Sequence, residues 1–588
     1  MSGIFAFAGK EKPKEILLSG LSALQHRGGE VNGIAIADKD GFATAKTVGT
    51  VARLTEDNSE FLPDGCCGIA KTDIRLRCLG AASTVPAANR HYAVACSGSI
   101  ANFESLKRWA RSPVQISTDD DLLLACLCIS HRENKIELAA AVAAALANEP
   151  GFVFIPSGEN AVYAHAGRNM LFVGVGKIGV FVADELSALL LYCDKYAVLQ
   201  SGETARLRAD KAVFYDEKCR KIKKVFSPVA GRVYVENPVT LSDEIHYCAQ
   251  AAREVYSNFV KNGELNFDSL KLSKRFVERL SRIILVGEGT SYHAALLACS
   301  LFEMMTDIPC AAYRSGEFKL SKCVLDKSTL VIAVSHRGET DDVLCCVRRA
   351  AAAQAQTLAV TSAKTSSLAL LCERTFATDS DYYDNSLFRP FIYSGMSLAL
   401  LALHIGVKDD VVTDMYYTMA LKMAELLSGK IASAVKDNTA FAAAANIVVQ
   451  CKNVYACANA TDYPTALETA DKIRRVAKKD CAAVPLSELV NYPAELLLNS
   501  AVLVFETSKE KGIFTDVYLN RLQTLGAKIV LFTTESIEDE FTRFDAVITV
   551  NDTLPIFNPI TCAAAGYRLA ERVGSAQSEA QEDSLAAS

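Results

Sequence analysis

At 588 residues the chain exceeds what one hydrophobic core organises, so two to four domains are expected. Half the residues are apolar and 22% are charged, which is globular composition and excludes a disordered chain. A net charge of -6 with both signs mixed leaves no basic stripe for nucleic acid and no polybasic surface for lipid, so neither is expected as a partner.

The opening MSGIFAFAGK lacks the basic, then long apolar, pattern of a signal peptide. The most apolar stretches, around 139–147 and 394–407, are too short to cross a bilayer. Nineteen cysteines are scattered without a disulfide framework or a paired C-x-x-C, so they read as reduced residues of a cytosolic protein. No metal or organic cofactor is indicated.

Residues 1 to about 225 show short β-type runs (GIFAFAG, GIAIAD, HYAVACSGSI, FVFIPS, LFVGVG) with two helices, around 14–25 and 119–130. This predicts a strand-rich layered domain. Residues 216–242, with their charges and prolines, read as a linker. A helix then begins near Leu241 with Ser242 as N-cap, the linker and helix together spanning 226–264.

From about residue 265 the pattern becomes strand, loop, helix. RIILVGEGTS leads into YHAALLACSLFEMM, and TLVIAVSHRGET leads into DDVLCCVRRAAAA. Continuous apolar strands alternating with helices predict a doubly wound parallel sheet. The design recurs after a helical bridge at 414–428, giving one α/β unit at 265–412 and another at 430–574. Residues 575–588, small and polar, are expected to be disordered.

In the first unit two strands end in hydroxyl-rich loops that open helices, Gly287–Ser291 and Ser335–Thr340. Unpaired N–H groups and the helix dipole attract anions there, glycine allows close approach, and Arg337 adds a charged donor. Ser and Thr also cap helices everywhere; two such loops in one unit favour phosphate.

These loops resemble those of glucosamine-6-phosphate synthase (glutamine–fructose-6-phosphate aminotransferase). GEGTSYHA resembles the family's C-G-T-S-Y-H-A, and VSHRGETDDVL resembles its S-Q-S-G-E-T-A-D-T-L. MSGIFAFAG, LQHRGGEVNGIAIAD, GIAKTD, SGSIAN and STDDDLLLACL resemble its N-terminal motifs in the same order. The resemblance implies a glutaminase-type (class II amidotransferase-like, Ntn) α+β domain followed by two SIS domains. It further implies fructose 6-phosphate as ligand and a homodimer. Thr290, Ser291, Ser335 and Thr340 match the family's phosphate contacts, whereas His336 and Arg337 replace its Gln and Ser.

Much of the family's chemistry is missing. Ser2 stands at the nucleophilic cysteine, and a hydroxyl ionises far less readily than a thiol of pKa about 8.5. Asp73 replaces the arginine that clamps the substrate carboxylate, and Ser97 replaces the oxyanion-hole asparagine, a loss worth about 100- to 1000-fold. Arg27, Gly98 and Asp119 keep glutamine-site positions, but a scaffold also uses Arg27 at a turn and Asp119 as a cap.

In the second unit Asn491 stands for the catalytic histidine and Arg475 for the catalytic carboxylate, and no lysine follows Lys528 for an imine. Glu468 and Lys472 match the family, but without their partners they read as a vestigial surface i,i+4 pair. Two hypotheses follow. One is a catalytically degenerate paralogue, a sensor or a regulatory subunit that joins an active synthase as a hetero-oligomer. The other is an active aminotransferase or sugar-phosphate isomerase repurposed around His336, Arg337 and Lys472. His336 would be its proton carrier, although a lone loop histidine is more often a hydrogen-bonding residue.

Overall fold

The structure, a computed structural model, describes residues 2–39, 41–58, 62–74, 85–111, 116–229, 240–377, 386–436, 439–507, 515–534 and 544–586. The chain divides into two compact units, Met1–Val233 and Tyr234–Ser588.

Alternating side chains build the first unit. In the strand Gly3–Gly9, Ile4, Ala6 and Ala8 enter one core while Phe5 and Phe7 enter another. An eight-stranded antiparallel sheet containing this strand faces a seven-stranded one, and their inner faces share an apolar core. The helix Pro13–Leu24 covers the outer face of the first sheet. The helices Phe103–Ala110, Asp119–Ile129 and Lys135–Ala145 cover that of the second. The result is four layers, helix, sheet, sheet, helix.

Val51–Asn58, Phe103–Ala110 and Lys135–Ala145 are additional to the two helices expected. Two of them are only eight residues long, and the alanine run of the third carries little apolar contrast from face to face. Part of the expected linker is edge strand: Ser227–Pro228 pairs with Lys195–Leu199, and Lys221–Ile222 with Lys211–Tyr215. Residues 230–239 of that stretch lie outside the described residues.

The helix Leu241–Phe259 opens the second unit, and Thr240, not Ser242, caps it. Thr240 Oγ1 accepts the Asp243 N–H while the Asp243 carboxylate accepts the Thr240 N–H. That reciprocal box needs an acid three residues after the cap, which Thr240 has.

Two five-stranded parallel sheets follow. In the first, Arg282–Gly287 is flanked by Cys310–Arg314 and Thr329–Val334, with Gln356–Val360 and Arg374–Phe376 beyond. In the second, Val454–Ala458 is flanked by Ala482–Pro485 and Ala501–Phe505, with Lys528–Thr534 and Ala546–Val550 beyond. Both have the order 2-1-3-4-5, whose switch point lies between the first and third strands.

Among the described residues one helix, Arg389–Lys408, is long and apolar enough to span a membrane, and 83% of its apolar window is buried within this unit. The helix Asn558–Ala586 runs through most of the stretch expected to be disordered. Its alanines, glutamates and glutamines favour helix, and polar composition alone does not exclude one. No disulfide joins the described cysteines.

Candidate functional site

The two hydroxyl-rich loops meet at the switch point of the first parallel sheet, where ligands of such sheets bind. One loop ends at Gly289, with φ of 54°, immediately before the helix Thr290–Met305. The other ends at Thr340, N-cap of the helix Asp341–Ala352. Ser335 Oγ lies 3.0 Å from Thr340 Oγ1, so these two hydroxyls face the same point. Gly338, at φ of 72°, has Ser366 Oγ where a Cβ would fall, so the turn admits no side chain there. Two helix N-termini, hydroxyls and the half-buried Arg337 together suit an anion.

His336 is placed differently from a proton carrier. Its ring is buried edge-on against Tyr393, centroids 5.6 Å apart, and its carbonyl accepts from Thr361 Oγ1 and from Ser362. It fastens this loop to the next one. The strand's alternation, carried two residues beyond Val334, turns the ring into the core.

Behind Thr290 lies a polar cluster that the sequence did not reveal. Glu468, on the helix Tyr463–Ala477, has no exposed surface, and Lys472 is 1% exposed. The expectation of a surface pair is therefore wrong: this helix is enclosed by Thr290–Met305 on one side and Asn558–Ala586 on the other. Lys472 Nζ lies 2.9 Å from Glu468 Oε1 and donates to Thr290 Oγ1 at 2.8 Å. Thr290 Oγ1 in turn donates to Glu468 at 3.3 Å, and the Tyr567 hydroxyl does so at 3.1 Å. His293 Nδ1 stands 2.7 Å from Glu468 Oε2, so that nitrogen carries the proton. Burial alone would raise the Glu468 carboxyl, but Lys472 and the His293 ring bring it down to about 2. Glu468 is an ionised carboxylate joining both α/β halves of this unit, with Thr290 as its link to the hydroxyl-rich loop.

The second sheet's switch point carries its own anion. Asp462, buried after the strand Val454–Ala458, accepts from the Thr507 N–H and from Thr507 Oγ1, each at 2.8 Å, across to the strand Ala501–Phe505. Burial pushes its carboxyl up to about 6, against the pull of those donors.

In the first unit Ser2 is buried, and the Gly98 N–H donates to its Oγ at 2.7 Å. Arg27 Nε donates to the Ser2 carbonyl at 3.0 Å and stands 3.6 Å from Asp184. Ser97 Oγ donates to Asp184 at 2.7 Å. Lys71, 1% exposed, bridges Asp73 and Asp120 at 2.9 Å each. Those two carboxylates hold the ammonium above its ordinary value although burial opposes it. Asp119 accepts the Ile100 N–H at 3.0 Å, and it is Thr118 that caps the helix.

Residues 278–403 match the SIS domain family. Glutamine–fructose-6-phosphate aminotransferase (isomerizing) of Clostridium tetani is 23% identical over 95% of this chain and 94% of its own length. Its namesake from Bacteroides thetaiotaomicron is 25% identical over 95% and 94%. The solved C-terminal domain of glucosamine–fructose-6-phosphate aminotransferase from Francisella tularensis superposes with a TM-score of 0.53 at 21% identity, covering 58% of this chain and 96% of that one.

Along nearly all of its length the chain is similar to glutamine–fructose-6-phosphate aminotransferases.

Set against the pattern of the aminotransferase family, the substituted positions are turned to structural use. Arg475, at the position of the catalytic carboxylate, donates from Nε to Asp471 at 2.8 Å with a side chain 58% exposed. Asn491, in place of the histidine, is exposed and donates to the Ser487 carbonyl one turn back. Asp73, in place of the clamping arginine, is not the bare negative charge its sequence position implied, because it shares the Lys71 ammonium with Asp120. Sequence reasoning also missed His293, Lys71 and Tyr567. His293 sits inside the quoted GEGTSYHA motif, where its position on the first turn after the loop was the available signal.

Proposed function

We propose that this protein binds a sugar phosphate of the fructose 6-phosphate type at the switch point of its first SIS domain and does not convert it. In this reading it is a sensor or a regulatory partner of an active synthase. In the same reading Thr290, Ser291, Ser335, Thr340 and Arg337 contact the phosphate, and the similarity to the aminotransferases supports an Ntn-type first domain and a dimer. The observation that carries the reading is the commitment of Glu468 and Lys472. Both charged side chains that the second SIS domain keeps from the family are buried in mutual pairing. The proton-handling positions beside them hold Arg475 and Asn491, which face solvent.

The first unit supports the same conclusion for glutamine. The Gly98 N–H, an oxyanion donor in the family pattern, is spent on the Ser2 hydroxyl, and Ser97 is spent on Asp184. The test is purified protein with fructose 6-phosphate and either glutamine or an ammonium salt, assayed for glucosamine 6-phosphate. No product is expected from either nitrogen source, while fructose 6-phosphate at a hundredfold excess over its Kd stabilises the fold by about 2.7 kcal/mol. Product formation refutes the degenerate reading. Absence of any stabilisation by sugar phosphates refutes the binding.

A further inference from the structure

The Thr290 hydroxyl serves two neighbours at once. Its oxygen accepts from Lys472 Nζ at 2.8 Å, and its single proton goes to Glu468 Oε1 at 3.3 Å. The same carboxylate oxygen also receives the Lys472 ammonium at 2.9 Å and the Tyr567 hydroxyl at 3.1 Å. Thr290 is the most distant of these three donors, and so the one most easily withdrawn. Glu468 and Tyr567 have no exposed surface and Lys472 is 1% exposed. A change in what receives the Thr290 proton is therefore absorbed by these partners rather than by solvent.

We propose that a ligand phosphate at the hydroxyl-rich loops takes the Thr290 proton away from Glu468, and that Tyr567 carries the change to the helix Asn558–Ala586. The step rests on the phosphate reading above, in which Thr290 is a contact. A hydroxyl has one proton to give, and a phosphate oxygen is a charged acceptor that competes well against a bond of 3.3 Å. Lys472 stays on the Thr290 oxygen and polarises its O–H towards the phosphate. Glu468 Oε1 then keeps the Lys472 and Tyr567 donors alone. Shared between fewer donors, it holds each more strongly, and Tyr567 is the one on another element.

Tyr567 stands at a junction. Its ring packs against Phe388 with centroids 4.8 Å apart. The adjacent Arg568, 4% exposed, donates from Nε to the Val435 carbonyl at 2.8 Å and from Nη1 to the Ser242 hydroxyl at 3.3 Å. Val435 closes the helix Asp414–Ala434, and Ser242 lies in the first turn of the helix Leu241–Phe259. A firmer hold on Tyr567 is thus felt where three helices meet. In a protein without turnover, such a relay turns occupancy of one loop into a change elsewhere in the unit.

The experiment uses the full chain, titrated calorimetrically with fructose 6-phosphate and with inorganic phosphate as the minimal probe. Amide hydrogen exchange is followed by mass spectrometry with and without saturating ligand. Slower exchange across residues 563–571 is expected in the liganded parent, a measurement that needs no variant to fold. Tyr567→Phe, matched to the parent by circular dichroism, should lose that slowing. Because coupling is reciprocal, it should also bind fructose 6-phosphate about fivefold more weakly. Thr290→Ala should bind more weakly in its own right, and adding Tyr567→Phe to it should change the affinity no further. In Thr290→Ser, which keeps the hydroxyl, the effect of Tyr567→Phe should persist. Ligand that binds the parent without slowing exchange across residues 563–571 overturns the relay and leaves the binding reading intact, as do losses that simply multiply in the double variant. Absence of binding by both probes overturns the relay and the binding reading together.

Discussion

Replacing Glu468 by glutamine keeps the side chain's size and removes its charge. Lys472 is then left in a closed interior with only Asp471, 3.2 Å away, as an anionic neighbour. A carboxyl brought from 4.5 down to about 2 corresponds to about 3 kcal/mol of native-state preference for the ionised form. Stripping one partner from a buried ion pair costs about 3–5 kcal/mol, a loss of the same size. In a unit of this size that lowers Tm by about 5 °C.

The sign with pH is fixed: the folded carboxyl titrates below the unfolded one. Its contribution is complete above pH 4.5 and is lost as pH falls towards about 2. Thermal unfolding followed by circular dichroism at pH 7 measures the loss. Trp109, the only tryptophan, lies in the other unit, so its fluorescence provides an internal control. A Glu468→Gln protein within about 2 °C of the parent by circular dichroism would refute the account of Glu468 as a buried linking anion. Adding Lys472→Met should recover part of the loss, because the orphaned charge goes with it.

Other expectations follow from the same structure. Asp462→Asn removes a carboxyl held at about 6; its native state prefers the proton, so its contribution is present at low pH and lost as pH rises through 6. The variant should therefore be stabilised by about 3 kcal/mol at pH 7.5 and barely changed at pH 4, which paired melts would check. Lys71→Met leaves Asp120 buried without its cation and should cost the first unit about 3–5 kcal/mol, read by Trp109 fluorescence in urea. Ser2→Cys should still release no ammonia from glutamine, since Ser97 and Asp73 remain engaged elsewhere. Arg475→Glu should restore no glucosamine 6-phosphate, because Asn491 still lacks an imidazole.

The parallel sheets and the hydroxyl-rich loops at their switch point were legible because continuous apolar strands ending in Gly, Ser and Thr are a local signal. The cluster behind them was not. An i,i+4 pair such as Glu468 and Lys472 has the same spacing on a wet face as in a sealed one, and the enclosing helices come from residues 290–305 and 558–586. The run Asp119–Asp121 makes the same point. Its three carboxylates take three tasks: holding the Ile100 N–H, pairing with Lys71, and closing the helix cap. Identical residue types in a row cannot announce which faces inward. His336 misled for the opposite reason, since a loop position suggested access where the ring points inward against Tyr393.

The Asp462 carboxylate also bears on stoichiometry. A polypeptide with two copies of one architecture would ordinarily be counted as a bivalent receptor, yet its second cradle arrives already filled from within. Saturation at one equivalent of phosphorylated ligand per chain is the consequence. Any sigmoidal response would then have to originate between polypeptides rather than inside one.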